Sequence, residues 1–339
     1  MREGFNPNKD KKNKDSPFKH QVIVPIYIPH QDGYFKDSFQ ILKICIQSLL
    51  YSSRPDNFIS LISNGSCREV EKYLEDLYTK GKVQEIIITP NIGKYNAVLK
   101  AVSGHDFPLV TISDADVYFK PNWQKETYKV FENFKKAGVV GLIPQFLSYQ
   151  SHCENLLFDY ALSPKLKFGA VEEPEALRGF YKSIGWKPNY PKDRLKYTLY
   201  LKQGDYKALV GSGHAVATYK RELFEGISLF NPFKMGGNSE AVFDKLAPEK
   251  GCYRFTSSRN MAFHLGNKLD KEFMERLNSK DKQAEGGMAF PELPCFSTPK
   301  FILPYFLKRK SVQLILKSHK LRMLYLKQLG LPKAARKSF

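Results

Sequence analysis

The sequence predicts an α/β protein. Its expected core is a Rossmann-like, mostly parallel central sheet with helices on both faces, followed by a basic helical C-terminal extension. Three observations carry that expectation. Apolar, β-branched runs alternate with segments of helical spacing from Gln21 to Ile143, the signature of βαβ units whose crossovers cover both faces of a parallel sheet. Short polar clusters follow one strand after another, where ligands bind in such sheets. The charge excess is gathered at the two ends of the chain, which leaves the body only mildly basic.

A polar lead over 1–19 is expected to be disordered. Gln21–Ile28 is a β-branched run and reads as a buried strand. Phe39, Leu42, Ile46 and Leu49 space a helix over 36–51, and Phe58–Ser63 is a second strand. After the turn Asn64-Gly65-Ser66 come a helix over 68–80, a strand over 83–89 and a helix over 94–102 opened by Asn91-Ile92-Gly93. Pro108–Ser113 is a fourth strand ending in Asp114-Ala115-Asp116, followed by a helix over 122–136 and a strand over 139–143. The Tyr- and Phe-rich stretch 145–207 has weak periodicity and reads as an insertion or lid. Leu209–Tyr219 returns as a strand with Gly211-Ser212-Gly213, and a short helix starts at Lys220. A helix over 239–246 is stopped by Pro248, Cys252–Phe255 is an edge strand, and 268–299 is irregular. The predicted organisation is a lead over 1–19, an α/β domain over 20–267 with the insertion 145–207, and an irregular linker with a basic extension over 268–339.

Composition narrows the class. With 42% hydrophobic residues in 339 the chain can bury a sizeable core, which excludes wholesale disorder. Cys45, Cys67, Cys153, Cys252 and Cys295 form no C-x-x-C or Cys/His cluster, so a disulfide scaffold or zinc ribbon is excluded and a reducing compartment is expected. The first 20 residues show no apolar signal core, and no stretch approaches the roughly 20 apolar residues of a membrane span. The expected location is cytoplasmic.

The net charge of +19 includes eleven basic and no acidic residues between Lys300 and Phe339. There Val312, Ile315, Leu316, Met323 and Leu326 recur at helical spacing, while Lys310, Lys317, Lys320 and Lys327 share another face. Two readings stand. One is a basic amphipathic helix on the anionic inner face of a membrane; the other is a helix docked on the domain with its lysines in water. Nucleic acid ranks third, because the body carries no binding signature for it.

Asp114-Ala115-Asp116 is the sharpest chemical feature. Two carboxylates one residue apart leave the apolar strand Leu109-Val110-Thr111-Ile112 and can face one crevice. Hard oxygen ligands suit Mg²⁺ or Mn²⁺, and either ion can bridge a diphosphate. The plain alternative is a pair of solvated loop carboxylates.

At these residues the sequence resembles the family 2 glycosyltransferases of GT-A fold over roughly 20–267. Val22-Ile23-Val24-Pro25-Ile26-Tyr27 resembles the opening strand, Ser63-Asn64-Gly65-Ser66 stands where the family has Asp-Asp-Gly-Ser, and Asn91-Ile92-Gly93-Lys94-Tyr95-Asn96-Ala97 resembles N-x-G-K-x-x-A. Ser113 to Asp116 matches the D-x-D element, Pro121-Asn122-Trp123 the helix start beyond it, and Tyr219 to Phe224 the later strand and helix. The resemblance implies a nucleotide-sugar donor with its base against the first strand ends, near Pro25, Tyr27 and Asn64. Lys94 would lie near the nucleotide, Asp114 near the ribose or sugar, and the diphosphate on a metal held by Asp116. Ser63 and Asn64 replace the family's base-reading carboxylate, so UDP is preferred as donor and GDP is second. The implied reaction is an inverting, hexosyltransferase-type transfer in polysaccharide biosynthesis, to a glycan or lipid-linked glycan hydroxyl.

Inversion needs a general base. Counting back from Gly251 through Gly236-Gly237-Asn238-Ser239-Glu240 places Glu240 on the family's carboxylate, with Asp244 one turn on as rival; Glu240 could also merely complement a helix dipole. His264, after the strand-like Met261-Ala262-Phe263, is the implied third metal ligand alongside Asp114 and Asp116, or else a buried structural histidine. His214 reads as structural or acceptor-facing, and Trp186 as a sugar-stacking or packing ring. The rivals are a nucleotidyltransferase, disfavoured by Pro25 to His30 where a Gly-rich basic loop belongs, and a non-catalytic basic adaptor on a degenerate transferase fold.

Overall fold

The computed structural model describes residues 4–12, 16–235, 239–270, 290–293 and 303–339. Parts of the predicted lead, Gly236-Gly237-Asn238, most of the irregular segment 268–299 and Cys295 lie outside the described residues.

The first half runs as expected apart from the unpredicted short strand β5: β1 (His20–Ile26), α1 (Ser38–Ser52), β2 (Asn57–Asn64), α2 (Arg68–Thr79), β3 (Glu85–Thr89), α3 (Lys94–Val102), β4 (Leu109–Ser113), β5 (Val117–Phe119), α4 (Trp123–Asn133) and β6 (Ala137–Gly141). The insertion carries α5 (Glu154–Asp159), β7 (Leu166–Ala170), α6 (Pro174–Ser183), β8 (Tyr197–Gln203) and β9 (Tyr206–Val210). Then follow β10 (Val216–Lys220), α7 (Ser239–Glu249), β11 (Tyr253–Thr256), β12 (Ala262–His264), α8 (Tyr305–Lys317) and α9 (His319–Gln328).

Ten strands form one mixed sheet in the order β3-β2-β1-β4-β10-β6-β11-β9-β8-β7, while β12 and β5 pair as a separate ribbon. The block β3-β2-β1-β4 is parallel, and so is the β6–β11 pair. β10 runs antiparallel between β4 and β6. The remaining pairings, β11–β9, β9–β8 and β8–β7, are antiparallel.

Strand periodicity sorts the core. Val22, Val24 and Ile26 face α1 and α2, packing with Leu42, Ile46 and Leu74. Ile23 between them points to the other face, with Ile62, Ile112, Tyr95 and Val98 of α3 and Phe243 of α7. Side chains alternate across a strand, so a run without polar gaps fills both layers at once.

Three expectations are corrected. The predicted single strand 209–219 is two strands, split by Gly211–Ala215, because Gly211 (φ +98°) turns the chain away from the ladder. The predicted edge strand Cys252–Phe255 is internal: β11 lies between β6 and β9. The insertion is no bare lid. Its β7, β8 and β9 extend the central sheet, while α6 stands beside β12.

The tail is helical, and its apolar stripe faces inward. Val312, Tyr325, Leu326, Leu329 and Leu331 are buried in one cluster with Phe131, Leu156, Leu166 and Phe255. Lys308 pairs with Asp159 at 2.5 Å, Tyr325 Oη donates to the Leu157 carbonyl at 3.1 Å, and the Leu329 carbonyl accepts from the Phe168 amide of β7 at 2.8 Å.

Candidate active site

The parallel block brings the polar strand ends to one rim. After β2, Ser63 and Asn64 are buried. Asn64 Oδ1 accepts from the Ile92 amide at 2.9 Å, and Asn91 Oδ1 accepts from the Gly93 amide at 3.1 Å. Gly65 (φ +87°) must be glycine here, since a Cβ would lie 2.8 Å from the Asn91 nitrogen. The two loops therefore lock together, and the Asn64 carbonyl is spent on the lock. Pro25 lies within β1, and the Tyr27 ring beyond it is 41% exposed, edge-on to Phe35.

The same lock aims Lys94, the first residue of α3. Gly93 (φ +86°) lets the backbone at Phe233 and Lys234 approach so closely that a Cβ would meet the Phe233 carbonyl at 2.7 Å. Lys94 Nζ lies 2.5 Å from Asp114 Oδ1 and 3.5 Å from Glu240 Oε1. Burial works to lower the pKa of this ammonium, but the two carboxylates outweigh it and hold it above its usual range. One cation thus ties together the D-x-D element and the candidate base.

Asp116 sits on the other side. Burial pushes its carboxyl up to about 6, opposed by the nearby His264 and assisted by Asp114. Its Oδ2 lies 3.3 Å from His264 Nε2, while its Oδ1 is buried without a hydrogen-bond partner. His264 reaches it through the β12–β5 ribbon, in which His264 pairs with Val117.

Ser183 Oγ, at the end of α6, lies 2.7 Å from the Phe180 carbonyl and 2.9 Å from His264 Nδ1. The other ring nitrogen, Nε2, faces the Asp116 carboxylate. Asp116 Oδ1, buried and without a partner beside them, is an acceptor left open to a donor or a cation. The donor set, one carboxylate and one imidazole, suits Mn²⁺. Asp114 is engaged by Lys94, and among the described residues no three His, Cys, Asp or Glu side chains converge to hold a metal. An open cavity of about 1260 Å³ lies against this pair, walled by Tyr34, Phe180, Ser183 and Asn267.

Glu240, in the first turn of α7, keeps its side chain 54% exposed. Asp244, one turn on, is buried: it pairs with the fully buried Arg254 and lies 3.3 Å from His214 Nε2. Arg254 also donates to the Ser151 and Ser212 carbonyls at 3.1 and 2.7 Å. Asp244 thereby braces the 211–215 loop, whose Ala215 carbonyl accepts from the Asp114 amide at 2.7 Å. Trp186 is exposed, with its ring packed at 4.9 Å on Tyr181.

Sequence reasoning named Lys94, Asp114, Asp116, Glu240 and His264, which the fold brings to one rim. It missed Ser183 and Arg254. Neither belongs to a motif, and each finds its partner only through the fold.

A mixed α/β sheet thus carries acidic, basic and imidazole groups at the rim of its parallel block. The model of the family described as "Glycosyl transferase family 2" matches residues 22–225, and the chain belongs to that family. No protein of curated function matches it. Among solved structures, S. aureus TarS 1–349 shares 13% identity at a TM-score of 0.42, over 73% of this chain and 60% of that one. The same protein in complex with UDP-GlcNAc gives 12% and 0.43, over 94% and 69%. The mannosyltransferase PcManGT from Pyrobaculum calidifontis, in complex with GDP-Man and Mn²⁺, gives 12% and 0.43, over 93% and 87%. The chain thus spans 60% of the TarS 1–349 chain.

Proposed function

We propose that the chain is a metal-dependent, inverting glycosyltransferase. It moves a hexose-type sugar from a nucleoside-diphosphate donor, UDP first and GDP second, to a hydroxyl of a glycan or lipid-linked glycan, as in polysaccharide biosynthesis. Its catalytic unit spans 20–267. The observation that carries this reading is the Asp116–His264 pair beside an orphaned buried carboxylate oxygen in a family 2 chain. These two residues would hold Mn²⁺ or Mg²⁺, with the donor's diphosphate completing the shell. The bound ion supplies charge stabilisation for the departing nucleoside diphosphate.

The chain's own groups do the rest. Asp114 accepts from the ribose or sugar hydroxyls, and Lys94 supplies positive charge beside it. Glu240 takes the proton from the attacking acceptor hydroxyl. It is the exposed carboxylate in the first turn of its helix, whereas Asp244 is spent on Arg254. The exposed Tyr27 ring offers a stacking face for the base. Leu229, Phe230, Phe233 and Met235 are all at least half exposed on the loop over the start of α3, beside Lys94. An apolar lip next to the base favours the lipid-linked acceptor, and with it a peripheral place on the cytoplasmic membrane face.

A thermal-shift panel of UDP-, GDP-, CDP- and dTDP-sugars with and without Mn²⁺ tests the reading. One donor is expected to raise the melting temperature in a Mn²⁺-dependent way, and Asp116→Ala to abolish that dependence. Release of nucleoside diphosphate marks sugar transfer, and release of sugar 1-phosphate would mark a nucleotidyltransferase. A panel without any shift or turnover would leave the basic adaptor standing.

A further inference from the structure

The C-terminal helices have two apolar faces, and the fold uses only one. Their inner faces, Val312 on α8 and Tyr325 and Leu326 on α9, are buried in the same cluster, so both outer faces turn away from the domain. On those outer faces Phe306, Leu307, Leu314, Leu321 and Leu324 are exposed, Leu314 by 67% and Leu324 by 62%. At about 100° per residue, Phe306, Lys310, Leu314 and Lys317 fall on one arc of α8, and Lys320, Leu324 and Lys327 on one arc of α9. All four lysines are exposed, and 303–339 contains no acidic residue.

Large apolar side chains held this far out of a fold mark a contact surface. The interleaved lysines identify the kind of contact. A nucleic acid would neutralise the lysines but leave leucine and phenylalanine in water. An apolar protein groove would cover the leucines and strand the lysines. An anionic bilayer meets both needs: the apolar side chains enter the acyl boundary while the lysine stems run up to the lipid phosphates. Neither helix needs to cross the bilayer, and among the described residues no helix is long and apolar enough to do so.

We infer that the outer face of α8 and α9, centred on Phe306, Lys310, Leu314, Lys317, Leu324 and Lys327, docks on an anionic lipid surface. This rests on the peripheral location proposed above and replaces the face that periodicity alone picks out. Val312, Ile315, Leu316, Met323 and Leu326 belong to the domain core or pack on it, and are not available to lipid.

The test uses the full chain in co-sedimentation with phosphatidylcholine vesicles, with and without phosphatidylglycerol. Wild type is expected to bind the mixed vesicles about tenfold or more tightly than the neutral ones, with binding weakened by salt. The triple variant Leu314→Ser/Leu321→Ser/Leu324→Ser should lose binding by about tenfold or more. Replacing the four lysines by Gln should remove the salt-sensitive part. Both variants should melt with wild type and still turn over a water-soluble acceptor, since these residues belong neither to the core nor to the site. Absence of wild-type binding to mixed vesicles, wild-type binding by the triple Leu variant, or vesicle binding displaced by duplex DNA each overturns the docking. Docking can fail while transfer survives, and transfer can fail while docking survives, so the two readings fall separately.

Discussion

Lys94 and Ser183 stand on opposite sides of the two aspartates and do complementary work. Lys94 gathers the carboxylates of Asp114 and Glu240 around one ammonium. Glu240→Gln removes a proton acceptor while keeping the shape of the site. It is expected to lower kcat by about 10²- to 10⁴-fold with the donor-induced thermal shift retained; steady-state kinetics beside the melting assay checks both. Ser183 touches no reacting group, but its hydroxyl lies against Nδ1 of His264 and steadies the ring whose Nε2 faces Asp116. Ser183→Ala should weaken Mn²⁺ binding in the presence of UDP by about 10- to 100-fold, and Ser183→Thr, which restores a hydroxyl, should recover most of it. Titration of the free Mn²⁺ signal by electron paramagnetic resonance reads this without turnover. Lys94 and the aspartates were legible because they open or follow strongly patterned elements, whereas His264, in a strand of three residues, was named through the family resemblance. Ser183 was not legible, since the contact that gives it meaning spans 81 positions of sequence.

At the scale of elements, legibility followed the strength of the hydrophobic pattern. Val22-Ile23-Val24 can only be a strand buried on both faces, and α3 begins where Gly93 dictates. β8, Tyr197–Gln203, does not alternate: Leu199, Tyr200 and Leu201 are buried in a row between partly exposed ends, so periodicity in the insertion was too weak to read. β5 spans only three residues and makes sense only once β12 is beside it. The tail gave up its helices and its inward stripe, but not what that stripe would meet. That meeting has a measurable strength: Leu326 is fully buried, so Leu326→Ala should cost about 2–5 kcal/mol of stability by denaturant unfolding. A tail that merely floated beside the domain would show almost none of it.

Taken whole, the molecule keeps an acid-sensitive joint at its centre. His20, at the start of β1, is fully enclosed, with Nδ1 2.8 Å from Tyr128 Oη and Nε2 2.7 Å from Thr111 Oγ1. Burial lowers its pKa from 6.5 to about 3. The unfolded chain therefore takes up this proton first. The contribution of His20 is complete above pH 6.5 and drains away as pH falls toward 3, by about 1.4 kcal/mol per pH unit. Melting temperature should drop from pH 7 to pH 5 more steeply in wild type than in His20→Gln. Asp116 shifts in the opposite sense, but it is common to both proteins and cancels in the comparison.

The inward stripe of the tail also bears on how the polypeptide is made. The cluster around Phe131, Leu156, Leu166 and Phe255 is closed by side chains from 312–331, which leave the ribosome after every strand of the sheet has emerged. At about 5–20 residues per second, the nascent chain must carry that greasy seam uncovered for seconds before its own last helices seal it. A chain stalled short of those helices would leave the seam open to solvent, a surface of the kind chaperones bind.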